Sequence, residues 1–407
     1  MTTLSVSLIV VSRNRTAALL RAIQAVQLQD HPALELIVVA DQVSAAAVRA
    51  LALPIKVLAF EQANIAAARN AGLAAAAGEI VAFLDDDAVP EPTWISRLTT
   101  PFANPDVRAA TGFVRGRNGI SDQWRACDVD QFGWDHPISV DRLSITLLAG
   151  TATRAVKSQG TNSAYRRVDL LALGGFDEGF RFYLDDADVS LRTAALGGFT
   201  AVVPEAVVQH GFAASDRRSA NRVPLNLREI GASSAYFLRS HATFADMTAQ
   251  HLSHRRAQET RLLAHMVQGG LGPRDIGQLL AGFDAGWAEG LARNLPSRIK
   301  VLPTAARFQP LATKPNKGLL ISGRIWQRRE LMRRASVEVA GGNIVTVICL
   351  SPTTWYHNHK FESEGFWMQK GGLFGRSLRN EPVLSFNRFA DRIVKETQRI
   401  GKTRPVS

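Results

Sequence analysis

Along the first 210 residues, short uniformly apolar runs alternate with Ala-rich stretches whose apolar positions recur every three or four residues. The runs "VSLIVVS" (Val6–Ser12) and "LELIVVA" (Leu34–Ala40), with residues 54–60 and 79–84, predict four strands. Residues 16–29 predict a helix with Leu19, Leu20, Ile23 and Val26 on one face and Thr16 as its N-cap. Residues 64–78 predict a second helix, closed by Gly78. Strands that are apolar throughout and separated by helices imply a parallel sheet covered on both faces. After Gly112 the pattern loosens into loop and short strand. A helix ending at Gly174–Gly175 follows, then one over 185–198 with acids in its first turn, then two short strands around Pro204. Residues 224–295 read as helical, 303–318 as a linker and "NIVTVICLS" as a strand, while residues 352–377 follow no template.

Composition narrows the class. The chain has 407 residues, 46% of them apolar and 21% charged, which suits two to three globular domains. Cys127 and Cys349 lie too far apart for a disulfide framework or zinc site, which fits a reducing cytosol. The N-terminal apolar stretch has no basic residues before it, so no signal peptide is expected. No run of 18 apolar residues exists, so no membrane-spanning helix is expected and any membrane contact is peripheral. Net charge is +12, and residues 301–407 hold 18 Lys+Arg against 7 Asp+Glu. Such a region meets anionic lipid, a polyanionic substrate or nucleic acid, or is simply a solvated surface. No zinc-finger, helix-turn-helix or aromatic-basic motif supports nucleic acid.

The chemistry begins at "EIVAFLDDDAVPEP", where an apolar strand runs into Asp85, Asp86 and Asp87. Adjacent carboxylates repel, so they need neutralisation or solvent. Ligands of open α/β sheets bind beyond the carboxyl ends of the strands, where this triplet falls. Asp85-x-Asp87 suits Mg²⁺ or Mn²⁺ shared with a diphosphate, or else the acids cap a helix starting near Pro92. The same run formally fits a haloacid-dehalogenase-type phosphatase, but three strand–helix units precede it and Pro90 sits awkwardly in the required turn. A nucleotidyltransferase needs a Gly-rich loop after the first strand, and "VVSRNRT" has no glycine.

"NIAAARNAGLAAAAGEIVAFLDDDAVPEPTW", with "SLIVVSRNR", "GTNSAYRR" and "GGFDEGFRFYLDDADVSLR", resembles the inverting family 2 glycosyltransferases of the GT-A fold over residues 7–211, half the chain. The resemblance implies an α/β fold with a mostly parallel central sheet and a nucleotide-diphospho-sugar donor. Ser12 and Arg13 would cradle the nucleotide and Asp41 its base, although the usual acidic pair is Ala40–Asp41 here. Arg69 would reach the diphosphate, or snorkel over apolar neighbours. Asp85 and Asp87 would hold the metal, His210 would join them or be structural, and Asp86 would face donor sugar or ribose. Asp186 aligns with the family's base; its neighbour Asp185 stands where Glu is usual, which leaves the assignment open between them, and helix capping is the competing role. Asn162, Gly175 and Phe176 fall on the acceptor side. Trp94, Trp124 and Trp134 would stack on sugar or fill the core, and His357 and His359 would share a strand face.

The expected organisation is a GT-A domain over 1–215, a helical extension over 216–302 and a basic module over 303–407 that offers a peripheral membrane contact. Bacterial members imply a cytoplasmic hexosyltransferase of surface polysaccharide or glycoconjugate assembly, acting on a saccharide or lipid-linked acceptor. The alternative is an inactive scaffold or polysaccharide binder of the same fold, against which the intact acids argue.

Overall fold

A computed structural model describes residues 3–211, 219, 221–295, 301–304, 307–312 and 317–406. Strands β1 (Val6–Ser12), β2 (Leu34–Ala40), β3 (Ile55–Ala59) and β4 (Ile80–Asp85) run parallel in the order β3-β2-β1-β4. Beyond them come β5 (Ala88–Pro90), β6 (Val107–Arg115), β7 (Asp122–Trp124), β8 (Cys127–Asp130), β9 (Asp135–Pro137), β10 (Thr146–Ala149), β11 (Arg154–Val156), β12 (Ser163–Arg166) and β13 (Phe199–His210). The sheet continues from β4 through antiparallel β12 to β6, β13 and β10, while β11-β8-β9 form a small separate sheet. Helices α1 (Thr16–Val26), α2 (Gln42–Arg49) and α4 (Trp94–Thr99) cover one face, and α3 (Ile65–Ala75), α5 (Arg167–Ala172) and α6 (Asp185–Ala194) the other. Strand β1 sends Val6, Leu8 and Val10 into the first layer and Ile9 into the second, which is why its middle is apolar on both faces.

Several local expectations change. Helix α1 starts after Arg15, and Thr16 instead bonds Ser44 through its hydroxyl at 2.8 Å. Helix α3, capped by Asn64, stops at Ala75; Gly78 serves close approach, since a Cβ there would meet the Ser7 amide nitrogen at 2.7 Å. The segment around Pro204 is one long strand, β13, whose pairing with β6 shifts register between Val203 and Val208 and so absorbs the proline.

Helices α7 (Arg228–His241), α8 (Met247–Val267) and α9 (Pro273–Ala292) pack around Phe283 and Trp287, and α7 lays Tyr236 and Phe237 against α6. The expected boundary at 215/216 lies outside the described residues. Described parts of the presumed linker are held in place: Leu311 is buried and donates to Leu34 O at 2.7 Å, and Gln309 N donates to Glu35 at 3.0 Å.

The basic region folds as β14 (Gly318–Arg324), α10 (Arg328–Ala340), β15 (Ile344–Ser351), β16 (Asn358–Phe361), β17 (Trp367–Gly372) and α11 (Phe389–Ile400). Its sheet has the order β14-β15-β17-β16, with the first three parallel. Ile344, Phe361 and Trp367 pack on Ala25 of α1. Glu91, just past β5, is buried between Arg404 (2.6 Å) and Arg115 (2.9 Å), and Gln209 bridges it to His359. No described helix is long and apolar enough to cross a membrane.

Candidate active site

The carboxyl ends of β1 and β2 open into a cleft of about 450 Å³ lined by Ser12, Arg13, Asn64 and Phe182 among others. Strand β4 ends in Asp85, which pairs in register with Val11 of the cleft wall and has a side chain 30% exposed. Asp86 turns inward: Ser12 Oγ donates to it at 2.6 Å, Arg15 pairs with it, and burial pushes its carboxyl up to about 7. Asp87 turns the other way, 3.3 Å from Arg15. Pairing of β5 with β13 sets Ala88 opposite His210, whose Nε2 lies 3.1 Å from Asp87 and 3.7 Å from Asp85. The ligand atoms of Asp85, Asp87 and His210 all lie within 4.8 Å of one another, the only such group among the described residues. Two carboxylate oxygens and an imidazole suit Mn²⁺, and the carboxylates suit Mg²⁺. The acids do not cap α4, because β5 intervenes and Thr93 precedes that helix.

A second acidic group stands at the start of α6. Leu184 enters the helix with a left-handed φ of +66°, a conformation strained for leucine, while its side chain is buried against Phe237. Asp185 is buried and paired with Arg69, and burial pushes its carboxyl up to about 6. Asp186 keeps its side chain 21% exposed, 4.0 Å from Lys157. Burial opposes the charge of Lys157, yet Asp186 and Asp135 hold its ammonium above the usual lysine range. Asp188 is structural, held by Arg192 (2.6 Å) and His241 (2.9 Å). Arg69 joins the two acidic groups: it pairs with Asp185, lies 3.7 Å from Asp85, donates to Gly160 O at 3.3 Å, and stands over Phe176 and Phe83. It is buried, so the snorkelling alternative fails.

Other expected site residues have different places. Arg13 is exposed at the cleft. Asp41 is committed to the backbone, accepting from Ser44 N, Ser44 Oγ and Asn14 N at 2.8–3.0 Å, so it caps α2. Asn162 is fully buried, accepting from Trp94 Nε1 at 2.8 Å and donating to Phe113 O and Ala206 O, and so ties neighbouring strands together. Gly175 sits at a left-handed turn beside Asn70, and Phe176 is buried beneath Arg69. Trp94 is core, Trp124 stacks on His210 and Trp134 on His254, so the three form no common platform. His357 and His359 bond Gln369 and Gln209 inside the basic module and its seam. Sequence reasoning missed Arg15, whose signal was the need of the Asp triplet for a counterion, and Lys157, which had none.

Residues 7–171 match the family described as Glycosyl transferase family 2. An uncharacterized glycosyltransferase of Nostoc sp. is 33% identical over 175 residues, 41% of this chain; the match spans about half, 52%, of that relative's length. Among solved structures, the mannosyltransferase PcManGT of Pyrobaculum calidifontis, in complex with GDP-Man and Mn²⁺, superposes with a TM-score of 0.45 at 19% identity over 72% of this chain and 88% of that one. GalNAc-T7 with UDP, GalNAc and Mn²⁺ gives 0.43 at 17% identity, covering 58% and 50%.

Proposed function

We propose, on the match of residues 7–171 to Glycosyl transferase family 2, that this protein is an inverting glycosyltransferase of the GT-A fold. It takes a sugar from a nucleotide-diphospho-sugar to a hydroxyl of a saccharide or lipid-linked acceptor, in surface polysaccharide or glycoconjugate assembly at the cytoplasmic membrane face. The transferase domain occupies 1–215, the helices to 302 shape the acceptor side, and 303–407 braces the whole. The observation that carries the reading is the bridging of the Asp85–Asp87–His210 group to Asp185, the neighbour of Asp186, by one buried arginine, Arg69.

In a direct displacement, the acceptor oxygen bonds to the anomeric carbon as the bond to the diphosphate oxygen breaks. The hydroxyl proton passes to Asp186, and the electron pair leaves with the nucleoside diphosphate. Asp186 is favoured over Asp185 because its carboxylate is open to solvent while Asp185 is buried against Arg69. Lys157 stands 4.0 Å from the Asp186 carboxylate, and Arg15 fixes Asp86 and Asp87. A divalent ion, Mg²⁺ or Mn²⁺, held by Asp85, Asp87 and His210 supplies positive charge against the diphosphate.

The test is thermal unfolding with UDP, GDP, dTDP and CDP, each with and without Mn²⁺. One nucleotide at 100 times its Kd stabilises by about 2.7 kcal/mol, only with metal, and Asp87→Ala loses that shift. Asp186→Asn keeps the shift and loses turnover by roughly 10²–10⁴-fold. Turnover surviving in Asp186→Asn rejects the base, and no shift with any nucleotide rejects the donor site.

A further inference from the structure

The basic module carries an edge that glycosyl transfer does not use. Strands β14, β15 and β17 are parallel and end side by side, Arg324 opposite Leu350 and Ser351 opposite Gly372. The three segments leaving these ends, near residues 325, 355 and 375–389, are knitted together. Gly372 N donates to Trp355 O (3.0 Å), Phe374 N to Thr353 O (3.1 Å) and Ser385 N to Phe374 O (3.0 Å). Arg376 stacks on Tyr356 at 4.5 Å and Arg324 on Phe389 at 4.3 Å. From this tied scaffold Trp326, Trp355 and Phe386 stand out 71%, 69% and 89% exposed, with Tyr356, Val383 and Leu384 exposed beside them.

Scattered surface hydrophobes are ordinary; aromatic side chains gathered on one strand edge, in an ordered arrangement, mark a contact surface. The charges around them say which kind. Arg324, Arg328, Arg329, Arg376, Arg379 and Arg388 make no ion pair among the described residues. Arg328 and Arg329 open α10 ahead of Glu330, whose carboxylate is paired with Arg333, so the first turn presents two arginines without ion pairs of their own. Tryptophan and phenylalanine beside arginines that make no ion pair match the headgroup layer of an anionic bilayer, where rings enter the acyl boundary and guanidinium groups meet phosphate. We propose that this edge docks the protein on an anionic lipid surface, peripherally. The inference rests on no step of the transfer reaction.

The full-length chain is sedimented with phosphatidylcholine vesicles, with and without phosphatidylglycerol, at low and high salt. Binding is expected only to the anionic vesicles, weakened by salt, with tryptophan emission moving to the blue. Trp326→Ser and Phe386→Ser each lower the partition about tenfold or more. Arg328→Gln and Arg329→Gln each lower it about fivefold. All four variants keep the Mn²⁺-dependent nucleotide shift of the parent, so loss of membrane binding and failure of the donor site are read separately. No binding to anionic vesicles, or binding that these changes leave intact, overturns the proposal. A concentration-dependent dimer that Trp326→Ser abolishes would assign the edge to a second copy and overturn it as well.

Discussion

His254, on α8, stacks 4.1 Å from Trp134, and its Nε2 donates to Phe132 O at 3.1 Å. Burial pushes its imidazole down to about 4, with Asp130 acting against the shift and His251 with it. The unfolded chain therefore binds this proton near pH 6.5 and the folded one only near 4. Between those values the unfolded state holds more protons, so stability rises with pH and is lost on acidification, by on the order of 3 kcal/mol in full. His254→Gln, which keeps a donor for Phe132 O, should flatten the urea-midpoint profile across that window; an unchanged slope would remove His254 from the account. At this scale the two acidic runs were legible because consecutive like charges beyond an apolar strand have few uses. Asp41 and Asn162 were not: a polar side chain that ties strand ends to backbone looks, in sequence, like one that meets a ligand. Lys157 was hidden because one cation among 48 Lys+Arg has no periodicity to betray it.

The crossing of α7 and α9 is built on missing side chains. A Cβ at Gly231 would overlap the Phe283 carbonyl, one at Gly286 the Arg228 carbonyl, and one at Gly290 that of Ala232. Gly286→Val is expected to cost about 3 kcal/mol by forcing the helices apart. Gly282, on the same helix with open space beside it, tests the cause: Gly282→Ala should stabilise by roughly 0.5–1 kcal/mol. A gain at both positions in denaturant unfolding would mean that helix propensity alone decides, and that close approach does not explain Gly286. The long elements of the first 90 residues were readable because strand and helix periods are distinct over seven or more positions. Strand β13 was broken in the reading at Pro204, since nothing in the sequence says that a register shift will absorb a proline. Residues 352–377 matched no template because their strands are as short as β16, four residues, and are defined by partners far away.

Across the whole molecule, the basic module is fastened through charge. Glu91 and Arg404 are each 1% exposed, and Arg404 and Arg115 hold the Glu91 carboxyl below the usual range against the pull of burial. Removing one partner strands the other, so Arg404→Met should cost about 3–5 kcal/mol. Gln209, bonded to Glu91, directly precedes His210, and Gly211 N donates to Asp87 O at 2.8 Å. Metal-dependent nucleotide binding should therefore weaken in Arg404→Met along with stability; an unaltered apparent metal affinity would show that the brace stops short of the site. The partners are 313 positions apart. At about 5–20 residues per second of synthesis, the carboxylate waits roughly 15–60 s for its counter-charge to be made. The half of the chain that leaves the ribosome first is thus completed last, and slow translation between the two lengthens the time in which an unfinished, partly wet interior is open to chaperones and proteases.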